Sequence, residues 1–279
     1  MSLKLMYITN NPTVALIAER YGVDRVWIDL ESIGKEERQK GINSVKSQHN
    51  LNDIKVLAEV LTKSELMVRV NAWYEKSEYE IETAIKYGAQ RIMLPMWKTK
   101  EETDSFLNLI HGRVKTTLLL ETKEAVECLD EVLKNPYIDE VYIGLNDLHL
   151  SFGMTFMFEP LANGIVDDIC CKLRAKNIPF GFGGIAKIGD GMLPSERIIT
   201  EHYRLGSTIA ILSRSFCNAI AIGDMNEVEC VFDINMKRIR DFEKTIKNYS
   251  AEEFEANRIA TKHIVEKTVE RIKKERTNG

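Results

Sequence analysis

The chain lacks any apolar run approaching the ~18–20 residues of a membrane span, and its opening MSLKLMYITNN has neither the long apolar core nor the cleavage signal of a secretory leader. Both absences point to a cytoplasmic protein. Cysteine is sparse: Cys128, Cys170, Cys171, Cys217 and Cys230 are all there are in 279 residues. An odd count without regular spacing excludes a disulfide framework and suggests free thiols in a reducing compartment. Adjacent Cys170 and Cys171 do not have the spacing of zinc-ligand pairs, so they read as buried thiols on a helix. There is no basic surplus either. With 38 Lys and Arg against 42 Asp and Glu, the net charge is −4, and only the last few residues form a basic run. Non-specific nucleic-acid binding, which needs a basic surface, is excluded. The five histidines are scattered, and no internal repeat is visible in residue identity.

What is present is a rhythm. Short apolar, β-rich runs alternate with amphipathic ones: 3–9, 25–31, 65–71, RIMLPM (91–96), TTLLLE (116–121), EVYIGLND (140–147), IPFGFGG (178–184) and STIAILSRSF (207–216), with a helical pattern after each. Asn11 or Thr13 is placed to cap the first helix and Asn50 or Asn52 the second, and Gly22 and Gly88 stand where helices end. Eight strand–helix alternations with nearly continuous apolar strands predict an α/β protein, a (β/α)₈ TIM barrel. The rival is an open doubly wound sheet with a helical tail. The barrel is preferred because polar residues of functional type fall at so many strand ends. Composition changes near residue 225, giving a catalytic domain over 1–222 and a charged, amphipathic helical extension over 223–279, with Ser250 a plausible cap inside it. Such helices have little core of their own and are expected to pack on the barrel exterior or on a neighbouring subunit.

The stretch 115–153 organises the site. It reads strand, helix, strand, with Glu121 closing one strand and Asp147 the other. Parallel neighbours joined by one helix bring their carboxyl ends to the same edge, so the two acids face each other. Such a pair binds a hard cation, shares a proton, or merely caps the following helices. The reading adopted is a site for Mg²⁺ or Mn²⁺, with other divalent metals not excluded. A 2-oxo acid could chelate such a cation, which would stabilise the enolate formed when a carbon–carbon bond breaks. Arg69 at the end of the third strand adds positive charge, or else pairs structurally with Asp29 or Glu31. Asn71, Ser213 and Arg214 are further strand-end residues. GFGGIA (181–186) is either a close-packed turn or a backbone cradle for an anion. No lysine stands at a strand end, which argues against Schiff-base chemistry. Among the histidines His49 carries most weight, because it lies in the long polar loop after the second strand; His149 and His202 have weaker cases.

ETKEAVECLDEVLKNPYIDEVYIGLNDLHLSFG, preceded by DRVWIDLES, MVRVN and GAQRIMLPMWKT in order, resembles the metal-dependent 4-hydroxy-2-oxoheptanedioate aldolase and citrate-lyase-β family of the phosphoenolpyruvate/pyruvate-binding barrels, over roughly residues 5–217. The resemblance implies Glu121 and Asp147 as metal ligands and Arg69 on the substrate's keto or carboxylate oxygen. It implies backbone groups around Gly144, Leu145 and Asn146 as the carboxylate site. It also implies a homo-oligomer, whether dimer, trimer or hexamer, with C-terminal helices exchanged between subunits. The expected activity is cleavage of a 4-hydroxy-2-oxo acid to pyruvate and an aldehyde through a metal-stabilised enolate. The alternatives are a citrate-lyase-β-like step on an acyl-CoA thioester, or a metabolite-binding barrel without turnover. Two departures stand out. Ser32 occupies the place of the aldolase branch's proton-transferring histidine, and Leu119 that of its glutamine. His49, Glu31 or a metal-bound water would then have to take the proton.

Overall fold

The computed structural model describes residues 2–34 and 49–278. Eight parallel strands close into a barrel in chain order: β1 (Lys4–Ile8), β2 (Arg25–Asp29), β3 (Glu65–Arg69), β4 (Arg91–Leu94), β5 (Lys115–Leu120), β6 (Val141–Ile143), β7 (Phe180–Ile185) and β8 (Ile209–Leu212), with β8 pairing back onto β1. The flanking helices are α1 (Pro12–Arg20), α2 (Leu51–Val60), α3 (Ser77–Lys86), α4 (Lys100–Ile110), α5 (Lys123–Val132), α6 (Leu145–Ser151), α7 (Glu159–Ala162), α8 (Ile165–Ala175), α9 (Ser195–Leu205), α10 (Ala219–Ile222), α11 (Met225–Ile246) and α12 (Ala251–Asn278). The cap expectations resolve locally. Asn11 Oδ1 accepts from the N–H groups of Thr13 and Val14, with Pro12 opening α1. Asn50 makes a capping box with Asp53, and Ser250 does the same with Glu253.

Strand alternation sorts the lumen into three layers. At the N-terminal end lie Arg25, Glu65, Arg91, Thr117 and Glu140, joined by Arg25–Glu65 at 2.6 Å, Arg25–Glu140 at 2.9 Å and Arg91–Glu65 at 3.1 Å. Above them an apolar plug of Met6, Trp27, Met67, Met93, Leu119, Tyr142 and Ile209 fills the barrel. Two residues further along the same strands come Asp29, Arg69 and Glu121, at the carboxyl-end mouth. Leu119 is therefore a member of the plug, 2% exposed, one layer beneath Glu121.

The expected sixth strand, 140–147, is shorter than the sequence suggested. It stops at Ile143, and the chain turns at Gly144 directly into α6. Asp147 thus stands in the first turn of a helix rather than at the end of a strand. Residues 148–164, which by sequence read as one long loop before the next helix, contain the end of α6 and all of α7. The physical reason is local: Leu145 and Leu148 pack inward at helical spacing, and an apolar run that turns through a glycine is ambiguous between strand and helix.

The glycine-rich β7 is a strand with a bulge. Gly181 pairs with Ile209 but Gly184 with Ile211, so β7 carries one extra residue. Tyr142 reaches across the lumen to mend the ladder: its hydroxyl donates to the Gly183 carbonyl and accepts from Ile211 N–H at 3.0 Å. A Cβ at Gly181 would lie 2.6 Å from the Tyr142 ring, and one at Gly183 would lie 2.9 Å from Leu145 Cδ1. Close packing accounts for these glycines.

Both long C-terminal helices lie on the exterior of their own barrel. α11 packs on α1 and α9, and α12 on α7 and α9. On α11, Phe232 sits edge-on to Tyr7 and to Phe216. Glu243 Oε1 accepts from Leu3 N–H at 2.7 Å, which ties the helix to the strand that begins the barrel. On α12, the buried stripe is Asn257, Thr261, Val265 and Thr268. Asn257 donates to Glu201 Oε1 at 2.8 Å and accepts from Arg197 at 3.0 Å.

Candidate active site

Glu121 follows β5 inward and is 2% exposed. Its Oε1 accepts from Met96 N–H at 3.0 Å. Met96 has φ 54, a left-handed backbone that a non-glycine residue seldom adopts, and this conformation belongs to the turn that presents the N–H to Glu121. Glu121 does not cap the helix after it. That role belongs to Thr122, whose hydroxyl oxygen accepts from Ala125 N–H while its hydroxyl donates to the Trp97 carbonyl at 2.8 Å. Gly144 makes the approach of α6 to this acid sterically feasible. A Cβ there would fall 2.7 Å from Glu121 Oε2, 3.0 Å from Glu121 Cβ and 3.3 Å from Leu119 Cδ1.

Burial pushes the Glu121 carboxyl well above its ordinary value. The negative charges of Asp147 and Glu31 push it further, while Arg69 and the Met96 N–H pull the other way. The structure therefore brings Glu121, Asp147, Glu31 and Arg69 into one electrostatic unit, as the strand-end argument required for Glu121 and Asp147.

Arg69 fulfils its structural reading and keeps a spare donor. Its Nε and Nη2 grip Asp29 in a two-pronged pair, both at 2.8 Å, and Nη2 lies 3.2 Å from Glu31. The guanidinium stacks over Trp27 at 5.1 Å, so the apolar plug supports it from below. Nη1 makes no hydrogen bond among the described residues. Burial works against the charge of this arginine, but the carboxylates of Asp29 and Glu31 outweigh it and hold the guanidinium as a cation.

His49 docks on β2. Its Nδ1 accepts from Asp29 N–H at 3.0 Å. Trp27 bonds toward β1 and Leu30 toward β3, so by alternation the Asp29 N–H faces the β1 side, beyond the point where β1 has ended. The ring thus takes the place of a missing ladder partner. With Nδ1 accepting, the neutral ring carries its proton on Nε2. His202 lies away from the mouth between α9 and the barrel, stacked on Phe182 at 3.9 Å and bonded to Ser207 at 2.7 Å. His149 is buried on α6 and held neutral by its burial.

Gly144, Leu145 and Asn146 open α6 beside Glu121. The Leu145 side chain packs on Gly183, so any ligand contact there falls to main-chain N–H groups, which a helix leaves unpaired in its first turn. Sequence reasoning did not find Trp27 as the support for Arg69, Tyr142 as the tie across the lumen, or Glu80, a buried acid on α3 bonded to Asn71. The period-two spacing of Arg25, Trp27, Asp29 and Glu31 was the available signal for the first. For Glu80, which lies on an ordinary amphipathic helix, there was none.

Among the described residues no three His, Cys, Asp or Glu side chains converge in a way that could hold a metal ion. Among the described residues, then, the mouth offers no cage made wholly of protein ligands. Two carboxylates, close enough that the charge of Asp147 helps to raise the protonation of Glu121, do suit a cation such as Mg²⁺, which is commonly bound by one or two carboxylates with water or substrate completing its shell.

The family model for HpcH/HpaI aldolase/citrate lyase matches residues 4–159, more than half of the chain. The chain belongs to this family. Solved structures agree on the fold. An HpcH/HpaI aldolase/citrate lyase family protein from Burkholderia cenocepacia superposes with TM-score 0.59 at 13% identity, covering 81% of this chain and 95% of its own. An HpcH/HpaI aldolase from Desulfitobacterium hafniense gives TM-score 0.59 at 16% identity, covering 90% and 95%. The citrate lyase β subunit from M. tuberculosis, solved with oxaloacetate and magnesium, gives TM-score 0.56 at 15% identity, covering 83% and 97%. Comparison with curated proteins gave no match. Fold and family are thus those of the HpcH/HpaI aldolase/citrate lyase proteins, and among the described residues no helix is long and apolar enough to cross a membrane.

Proposed function

We propose that this HpcH/HpaI family member is a divalent-metal-dependent carbon–carbon lyase that cleaves a 4-hydroxy-2-oxo acid to pyruvate and an aldehyde. The observation that carries the reading is the convergence of Glu121 and Asp147, with Arg69 beside them, at the carboxyl end of a plugged barrel. Glu121 and Asp147 would hold Mg²⁺ or Mn²⁺. When bound, that cation supplies a Lewis acid for the keto oxygen and a counter-charge for the developing enolate. Arg69, fixed by Asp29, Glu31 and Trp27, offers Nη1 to the same oxygen and pays no reorganisation when charge develops. The first N–H groups of α6, after Gly144, receive the substrate carboxylate. The apolar layer of Met67, Met93 and Leu119 keeps water from reaching the site from beneath.

Proton transfer falls to a group other than a histidine at position 32. His49 must first give up its bond from Asp29 N–H before it can accept a proton at Nδ1, and Glu31, already beside Arg69, is the competing base. A panel of 4-hydroxy-2-oxo acids, followed by release of pyruvate, tests the reaction. Cleavage that requires Mg²⁺ or Mn²⁺ and drops by roughly 10² or more in Glu121→Gln supports it. Cleavage confined to coenzyme A thioesters would favour the citrate-lyase-type reading. Binding of metal and oxo acid without any turnover would favour a metabolite-binding barrel. Assembly through the C-terminal helices is a further proposal, read out by the mass of the native particle.

A further inference from the structure

Asn71 lies just past β3 and is 6% exposed, yet none of its hydrogen bonds goes to the acids of the mouth. Its Oδ1 accepts from Ser32 N–H at 2.9 Å, from Ile33 N–H at 3.0 Å and from the Ser32 hydroxyl at 3.4 Å. Its Nδ2 donates to Glu80 Oε1 at 2.8 Å, and its backbone N–H donates to Glu80 Oε2 at 3.3 Å. Glu80, on α3, is also 6% exposed. A buried carboxylate thus orients a side-chain amide, and that amide grips the two residues that follow Glu31. An exposed chain end leaving β2 has no need of a buried acid two elements away, unless the position of what precedes it matters. Glu31 precedes it. Its N–H donates to Asp29 Oδ1 at 3.2 Å, its carboxylate lies 3.2 Å from Arg69 Nη2, and its charge is felt by Glu121.

We infer that Asn71 and Glu80 form a positioning pair that fixes the chain after β2, so that Glu31 is held against Arg69 and beside the Glu121–Asp147 acids. The pair touches neither metal nor substrate. It acts through Glu31 and Arg69, and its role in turnover rests on the lyase reading above. If the grip on Ser32 and Ile33 is lost, the backbone that carries Glu31 is less firmly placed, its carboxylate is held less closely against Arg69 Nη2, and the charge around Glu121 changes. An ångström-scale shift of such a group costs up to about 10²-fold in rate.

The test uses the full-length protein and two readouts, calorimetric Mg²⁺ affinity and the rate of metal-dependent solvent exchange of pyruvate methyl protons, both measured well below each variant's melting temperature. Asn71→Ala removes the acceptor for three donors. The swap Asn71→Asp with Glu80→Gln exchanges carboxylate for amide but keeps each bond: an Asp oxygen accepts from Ser32 and Ile33, and the Gln amide donates to the other oxygen. Asn71→Ala is expected to weaken Mg²⁺ binding at least about threefold and to lower kcat for exchange about tenfold or more, with KM changed less. The swap is expected to restore both to within about threefold of the parent. Should Asn71→Ala fail to fold, the swap compared with Asn71→Asp alone carries the same test. A folded Asn71→Ala with parental Mg²⁺ affinity and kcat, or a swap no better than Asn71→Asp, overturns the positioning role. If the parent protein shows no exchange but Mg²⁺ affinity follows the predicted pattern, the lyase reading fails while the pair's hold on the acid site stands.

Discussion

Replacing Gly144 by alanine tests the geometry on which the metal site depends. The added methyl would begin 2.7 Å from Glu121 Oε2 and 3.0 Å from Glu121 Cβ, against ordinary contacts of about 3.4 Å or more. The carboxylate oxygen is the far end of a side chain, but Oε1 is tied to Met96 N–H, and Cβ is fixed by β5. Leu119 Cδ1, 3.3 Å from the new atom, blocks retreat into the plug. Something must therefore move by roughly half an ångström, at a cost of about 1–3 kcal/mol typical of overpacking. For a chain of this size that lowers Tm by roughly 2–10 °C. Metal ligands tolerate about 0.2 Å of displacement, so Mg²⁺ affinity is expected to fall by about tenfold or more, and at least partly independently of the stability loss. Differential scanning calorimetry and titration calorimetry read the two effects. A Gly144→Ala protein with parental Tm and parental Mg²⁺ affinity would refute the reasoning, because Glu121 would then not lie against the β6–α6 turn.

Three further perturbations probe the scaffold. Arg25→Met leaves Glu140, 4% exposed, without its closest cation at the foot of the barrel, so a loss of about 3–5 kcal/mol in urea unfolding is expected. Tyr142→Phe strips the partner from Ile211 N–H and from the Gly183 carbonyl at the β7 bulge; about 1–3 kcal/mol should be lost, with faster amide exchange at Ile211. His202 is buried with its pKa lowered to about 3. The unfolded chain takes up that proton near pH 6.5 and the folded chain does not, so this residue's contribution is intact above about pH 6.5 and is lost as pH falls toward 3, at up to about 1.4 kcal/mol per unit. In His202→Gln the slope of stability against pH between 6.5 and 5 should flatten by about that amount, and an unchanged slope would count against a neutral buried ring.

Much of this was legible because barrel strands buried on both faces leave apolar runs, and because strand ends collect polar residues at one mouth. Glu121, Arg69, Asp29 and Glu31 were singled out in this way, and Asp147 does lie near enough to Glu121 for its charge to act there, as parallel neighbours lead one to expect. Asp147 was nevertheless attached to the wrong element. VYIGLND is as good a strand as a strand-turn-helix by periodicity, and only the fit of Leu145 against Gly183 and of Gly144 against Glu121 decides it. Gly181 and Gly183 posed the same difficulty, since their partners, Tyr142 and Leu145, come from the preceding strand–helix unit. Glu80 was invisible because a buried acid on an amphipathic helix looks like any surface acid until its partner is known. The C-terminal helices were recognisable as packing elements, but the side they cover depended on Glu243 reaching Leu3 and Asn257 reaching Glu201, contacts separated by 240 and 56 residues.

The most direct test of the central claim is proton exchange on pyruvate in D₂O, followed by NMR with the parent protein and Glu121→Gln, each with Mg²⁺ or Mn²⁺ and after chelation. Methyl-proton exchange by the parent protein is expected to require the metal and to disappear in Glu121→Gln. Undiminished exchange in metal-stripped protein, or in Glu121→Gln, would contradict it.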